Sequence, residues 1–280
     1  IGVNPARDED PDDGKDNDCD GRLDEEWAGL TVGMQRKNEP SSIVTYDTVG
    51  RVDAEVTLDA DVIPYSIDHG IDGGWVIVAY PVFTTISGLL GTAKDPATVM
   101  EVDDSGNCTE LASFLDESAW SGPLVRGVTT HPDGYYLVAG PGALYKIEPG
   151  SAPETLATWN WDYAEADTFE LYALDLMVDL TTGEVGIIDL LGGFGTWSED
   201  EGFVVRKRAD LSGGWENWDS MVGVAGAKMD AGGWYGLLAD YTVGEYALYL
   251  WDTDASDWTL YMGWTDSLIT PLAVDANGDD

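Results

Sequence analysis

The chain has 280 residues, 44% of them hydrophobic and including 12 Trp and 13 Tyr, which suffices for a sizeable core and excludes global disorder. Its 53 acidic and 13 basic residues give a formal net charge of −40, a field that repels nucleic acid and anionic membranes and attracts cations. Every apolar run is far shorter than the roughly 18–20 residues that cross a bilayer, so no membrane span is expected.

Residues 1–26 stand apart in composition, with eleven acidic side chains and almost nothing apolar after Val3. Within DDGKDNDCDGRLDEE (12–26), Asp16, Asp18 and Asp20 alternate and Gly21 follows, the order of the first six positions of an EF-hand-type calcium loop. Ca2+ takes six to eight oxygens at about 2.3–2.6 Å, and alternating carboxylates in a tight loop converge on one centre. Gly21 permits the sharp turn that brings the next oxygens back to the ion. The expected ligands are Asp16, Asp18, Asp20, the backbone carbonyl of Arg22, Asp24 and Glu25. Trp27 occupies the twelfth position, where the usual loop has Glu, so Glu25 or Glu26 has to substitute. All-oxygen ligation selects Ca2+ or Mg2+ over copper or zinc. The plain alternative is a solvated acidic tail, because carboxylates this close repel one another without a cation.

The stretch VNPARDEDPDDGKDNDCDGRLDEE (3–26) also resembles the metal-binding-motif repeat of MopE-type and myxobacterial surface proteins. It follows that family's pattern V-N-P … D-G-x-D-N-D-C-D-G-x-x-D-E, the core running from Asp13 to Glu25. The resemblance covers a small part of the chain and implies export, surface association and a metal role, with no catalysis. Asp12 stands where the family has a second Cys. Cys19 thereby loses its local partner and could instead reach Cys108, tethering the tail; Cys19 as a copper ligand is the sharper alternative.

From Trp27 the composition changes to short β-branched and aromatic runs separated by Gly and Asp, with 27–41 read as a connector and 42–280 as β repeats. SSIVTYDTVGRVDAEVTL (41–58) reads as the outer two strands of a unit lacking its inner two. GVTTHPDGYYLVAGPGALYKIEPGSAPETLATW (127–159) reads as four short antiparallel strands joined by Gly- and Asp-containing turns. The same order recurs from 65, from 174 and from 225, and TPLAVDANGDD (270–280) begins another unit. Turn anchors His69, His131, Asp179, Asp230 and Asp275 are spaced by 62, 48, 51 and 45, with an insertion at 81–96 accounting for the long interval.

A period near 50 with four strands per unit predicts an all-β, β-propeller fold, four full blades plus one shared between the termini or incomplete. Sharing a blade would hide the sheet edges that otherwise invite aggregation. Starting at Ile1 and stopping within a unit at Asp280, the chain reads as a processed product whose parent continues with more blades. In HPDG (131–134) and YKIEPG (145–150) the repeats resemble NHL-like and gluconolactonase-like propellers, a likeness of fold that carries no activity.

Weaker candidates lie in the turns. Asp275, Asn277 and Asp279 could begin a second calcium loop, whereas DTDASD (252–257) reads as an ordinary turn. His69 and His131 share one turn position in successive units and raise a copper site, set against a turn-forming role. Most Trp residues are expected between sheets, with Trp159 and Trp161, and Trp215 to Trp218, as alternatives for stacking on sugars. Asn107-Cys108-Thr109 fits a glycosylation sequon.

No nucleophile elbow, zinc-protease helix or phosphate-cradling Gly loop is legible. The expected function is an exported, non-enzymatic, calcium-binding propeller at the bacterial surface or outside the cell. Its partners would be divalent cations and other surface proteins or copies of itself. A metal-dependent, lactonase-like hydrolase using the propeller channel and a MopE-like copper-binding surface protein are the alternatives.

Overall fold

The structure, a computed structural model, describes residues 31–34, 39–46, 51–81, 97–114, 125, 127–140, 142–160, 170–171, 173–189, 192–208, 221–228, 233–240, 245–252 and 257–264. Among the described residues every regular element is a strand. The first sheet holds β1 (Thr31–Met34), β2 (Ser42–Tyr46) and β3 (Val52–Thr57). The second holds β4 (Val62–His69), β5 (Trp75–Pro81), β6 (Ala97–Val102) and β7 (Cys108–Phe114). The third holds β8 (Gly127–His131), β9 (Tyr135–Gly140), β10 (Ala143–Ile147) and β11 (Glu154–Thr158). The fourth holds β12 (Ala173–Val178), β13 (Val185–Asp189), β14 (Phe194–Ser198) and β15 (Gly202–Lys207). The fifth holds β16 (Met221–Lys228), β17 (Trp234–Asp240), β18 (Glu245–Asp252) and β19 (Asp257–Trp264).

Each sheet is an open antiparallel meander whose strands pair in chain order. The all-β expectation and the four-strand units from 62 onward agree with this arrangement. One difference concerns the first unit, which has three strands rather than two. Its extra strand, β1, falls in the stretch read as a connector. Four residues with Gly33 among them are too few for alternation to show, so tertiary pairing with β2 makes this strand.

Sequence and burial follow strand position. The second strands carry nearly continuous apolar runs, WVIVAY in β5 and YYLVAG in β9, and Val76 to Tyr80 and all of β9 are buried. Such runs suit a strand flanked by neighbours on both edges and covered on both faces. The outermost strands β7 and β11 mix polar and apolar residues and are half-buried to exposed, with Ala112 their one buried residue.

Consecutive sheets stack face to face, and the first strands β4, β8, β12 and β16 lie against one another in succession. Between the second and third sheets, Val76, Val78, Tyr80 and Val99 pack on Val128, Tyr136 and Val138. Between the third and fourth, Leu137, Leu144 and Trp159 meet Leu176, Ile187 and Trp197. Between the fourth and fifth, Phe194 sits among Trp234, Trp251 and Trp258, with ring centroids 4.7 to 6.1 Å away.

Candidate functional site

The expected calcium ligands Asp16, Asp18, Asp20, Arg22, Asp24 and Glu25 lie outside the described residues, as do Cys19 and the weaker candidates Asp275, Asn277 and Asp279. Among the described residues no three His, Cys, Asp or Glu side chains come together as a metal-holding group. What the structure does describe is a polar seam along the first strands, with the turns beneath it.

A first strand has one edge paired within its sheet and one edge left over, whose N–H groups need acceptors. For β8 they come from β4. Ser66 Oγ accepts from the Val128 N–H at 3.2 Å, and Asp68 Oδ2 accepts from the Thr130 N–H at 2.7 Å. Asp68 Oδ2 also accepts from Thr129 Oγ1 at 2.8 Å, and the Thr130 hydroxyl donates to the His69 carbonyl. Residues 66 and 68 thus meet 128 and 130 in the same order, so β4 and β8 run parallel at the seam. The signal for this in the sequence is the S-x-D alternation, which puts both side chains on one side of a strand.

The short turns at the C-terminal ends of the first strands extend the seam. His131 is 4% exposed; its Nε2 lies 3.0 Å from the Gly183 carbonyl and its Nδ1 accepts from the Asp133 N–H at 3.2 Å. This pattern places the proton on Nε2, which donates to Gly183. The ring stacks on Tyr135 at 4.3 Å. Both nitrogens are engaged, so no lone pair is left for a metal; His69 ends β4 as His131 ends β8, the equivalent positions expected, but His69 is exposed where His131 is buried. His131 is a tie between sheets.

Tyr136, fully buried, makes a second tie. Its hydroxyl accepts from the Ile71 N–H at 2.9 Å and donates to Glu101 Oε1 at 2.6 Å. Burial, reinforced by the Glu101 carboxylate, holds this phenol well above its ordinary pKa. Tyr135 is pushed up to about 12, mainly by burial and then by Glu199 and Asp133. Lys146 Nζ stands 4.3 Å from the Tyr135 ring centroid and 2.8 Å from Glu148, whose carboxylate raises the lysine pKa.

Cys108 opens β7, half-buried, with its N–H donating to Asp59 Oδ1 at 2.9 Å. Burial, then the Asp59 carboxylate, pushes the thiol up to about 11, so at neutral pH it is protonated and a poor ligand or nucleophile. Asn107 of the sequon donates its side-chain amide to Asp103 Oδ2 at 2.7 Å, which helps hold the Asp103 carboxyl below its usual range. Trp159 is buried and stacks on Phe203 at 4.7 Å, so it is core rather than a sugar platform. Trp197, Trp234, Trp251 and Trp258 are also buried, as expected. In DTDASD, Asp252 and Asp257 are register partners of β18 and β19, and residues 253–256 lie outside the described residues.

No family model matches the chain, and no curated protein matches it. Among solved structures, it is similar to a protein of unknown function from Bacteroides caccae, with a TM-score of 0.53 at 13% identity over 84% of this chain and 79% of that one. A protein from Lactobacillus plantarum is similar with a TM-score of 0.46 at 12% identity, over 84% of this chain and 67% of the other. The likeness to the Bacteroides protein is one of all-β fold.

Proposed function

We propose that the chain is an exported, calcium-binding β-propeller without a catalytic role, acting at the bacterial surface in adhesion or assembly. The five sheets are its blades. In support, each sheet from 62 onward is a four-stranded meander, and its first strand lies against the first strand of the next. The observation that carries the function is the placement of Asp16, Asp18, Asp20 and Gly21 in calcium-loop order, in a segment that also resembles a surface-protein metal motif. The resident ion would be Ca2+, and the partners other surface proteins or further copies of the chain.

The physical logic is coupling. Eight carboxylates in residues 12–26 repel one another without a cation, so the energy of binding Ca2+ becomes the energy of folding that segment. Calcium titration of the chelator-treated full chain, followed by calorimetry and thermal unfolding, tests this. A saturable heat and a Tm that climbs with ligand concentration are expected, both lost in the Asp16→Asn, Asp18→Asn, Asp20→Asn variant. No heat and no Tm shift at up to about 10 mM, well above the roughly 0.1–1 mM range of extracellular calcium sites, would overturn the proposal.

A further inference from the structure

Four Asp-Gly pairs occur in the sequence, at 13–14, 20–21, 72–73 and 133–134. The first two lie outside the described residues. The other two sit in turns that join a first strand to a second, Asp72-Gly73 between β4 and β5 and Asp133-Gly134 between β8 and β9. An aspartate followed by glycine is chemically open, because no side chain on the next residue shields its amide nitrogen from the aspartyl carboxyl. The two turns hold this dipeptide differently. In the β8–β9 turn, Pro132 fixes the backbone just before it. The Asp133 N–H donates to His131 Nδ1 at 3.2 Å, and Asp133 Oδ2 lies 3.6 Å from the same nitrogen. The Gly134 N–H donates to the His131 carbonyl at 2.9 Å. His131 is itself buried and anchored on Gly183. The β4–β5 turn is pinned at Ile71, whose N–H donates to the Tyr136 hydroxyl at 2.9 Å. Beyond that point Asp72 and Gly73 are both exposed, and the Gly73 N–H reaches the Gly70 carbonyl only at 3.3 Å. Gly73 stands at φ +94° with nothing within 4 Å of the place a Cβ would take, and glycines at 70 and 74 leave the flanking backbone free to bend.

We infer that Asp72-Gly73 is a site of spontaneous modification, where aspartate converts to isoaspartate, and that His131 protects Asp133-Gly134 from the same reaction. The Gly73 nitrogen attacks Cγ of Asp72. An N–Cγ bond forms, a Cγ–O bond breaks, and the oxygen leaves as water with the amide proton and one proton from solvent. Water then adds to the resulting succinimide at the former Asp72 peptide carbonyl. The bond from that carbon to the Gly73 nitrogen breaks, a proton returns to solvent, and the chain now runs through Cβ and Cγ. Nothing is oxidised or reduced, and the mass is unchanged. The backbone gains one methylene beside the Ile71–Tyr136 hydrogen bond that ties the second sheet to the third, and an α-carboxylate is left at the turn. At Asp133 the same attack is opposed on both sides: the nucleophile's N–H is committed to the His131 carbonyl, and the ring holds the Asp133 backbone and carboxylate in place.

Peptide mapping of the full chain after prolonged warm storage tests this, using a protease that cuts before aspartate but not before isoaspartate. Each site is read from its own peptides. In the folded chain, resistance at 72 is expected to build up several times faster than at 133. In urea, where neither turn persists, the two rates should converge. His131→Phe keeps a ring stacked on Tyr135 and removes both nitrogens, and it should raise the rate at 133 towards that at 72. No isoaspartate at 72 in the folded chain, or equal rates at 72 and 133, would overturn the assignment. A ratio unchanged by urea would also overturn it, since the residues beside each pair, and not the turns, would then set the rates. A folded His131→Phe chain with 133 still unmodified would overturn the protective role of His131. If that variant does not fold, the parent compared with and without urea decides alone.

Discussion

Asp68 joins two sheets with a single carboxylate oxygen, which accepts from Thr129 Oγ1 and from the Thr130 N–H. Charged acceptors make the stronger kind of hydrogen bond, and removing one partner strands the other. Asp68→Ala should therefore cost about 1–3 kcal/mol in urea unfolding at neutral pH, and Asp68→Asn less, because its amide oxygen still accepts. An Asp68→Ala midpoint equal to the parent's would show that water replaces the carboxylate and that the seam contributes nothing there. This residue was not legible as important: an Asp beside a turn is commonplace, and its value depends on β8 presenting an unpaired N–H opposite. The neighbouring histidines invited more attention for their chemistry. The fold uses His131 for its two ring nitrogens as a hydrogen-bonding strut.

At the scale of elements, turns decide how tightly the sheets nest. Gly106, at φ +85°, lies in the β6–β7 turn, and a Cβ there would collide with the Thr57 carbonyl at the end of β3. Gly134 has nearly the same φ, +81°, in the β8–β9 turn, yet a Cβ there meets nothing within 4 Å. The pair separates local strain from tertiary contact. Gly134→Ala should cost about 1 kcal/mol from the left-handed backbone alone, and Gly106→Ala clearly more, since the β3 end must also shift. Thermal unfolding of both checks the ranking, and equal losses would mean that the Gly106 turn yields freely. The four-stranded units were legible because strand-like runs alternate with Gly and Asp turns at near-regular spacing. β1 was not, because its partner β2 and not its own pattern makes it a strand.

For the whole molecule, the dominant number is the net charge of −40. Self-repulsion of that size destabilises a compact chain, and salt relieves it as the Debye length falls from about 30 Å at 0.01 M to about 3 Å at 1 M. The Tm should therefore rise by several degrees between about 0.01 and 0.5 M NaCl. A flat or falling Tm would show that the acidic side chains are held apart in the fold and interact little. The sequence by itself determined the strand class, the turn positions, the apolar runs of the second strands and the sign of the surface field. These depend on residues within a few positions of one another, or on a plain sum of charges. The tertiary structure alone decided which polar groups meet: Asp68 with the edge of β8, His131 with Gly183, Tyr136 with Glu101, and Trp159 with Phe203 in the core. Those pairings join residues far apart in the chain, and they exist because an unpaired strand edge and a buried ring each need a partner that only sheet stacking brings within reach.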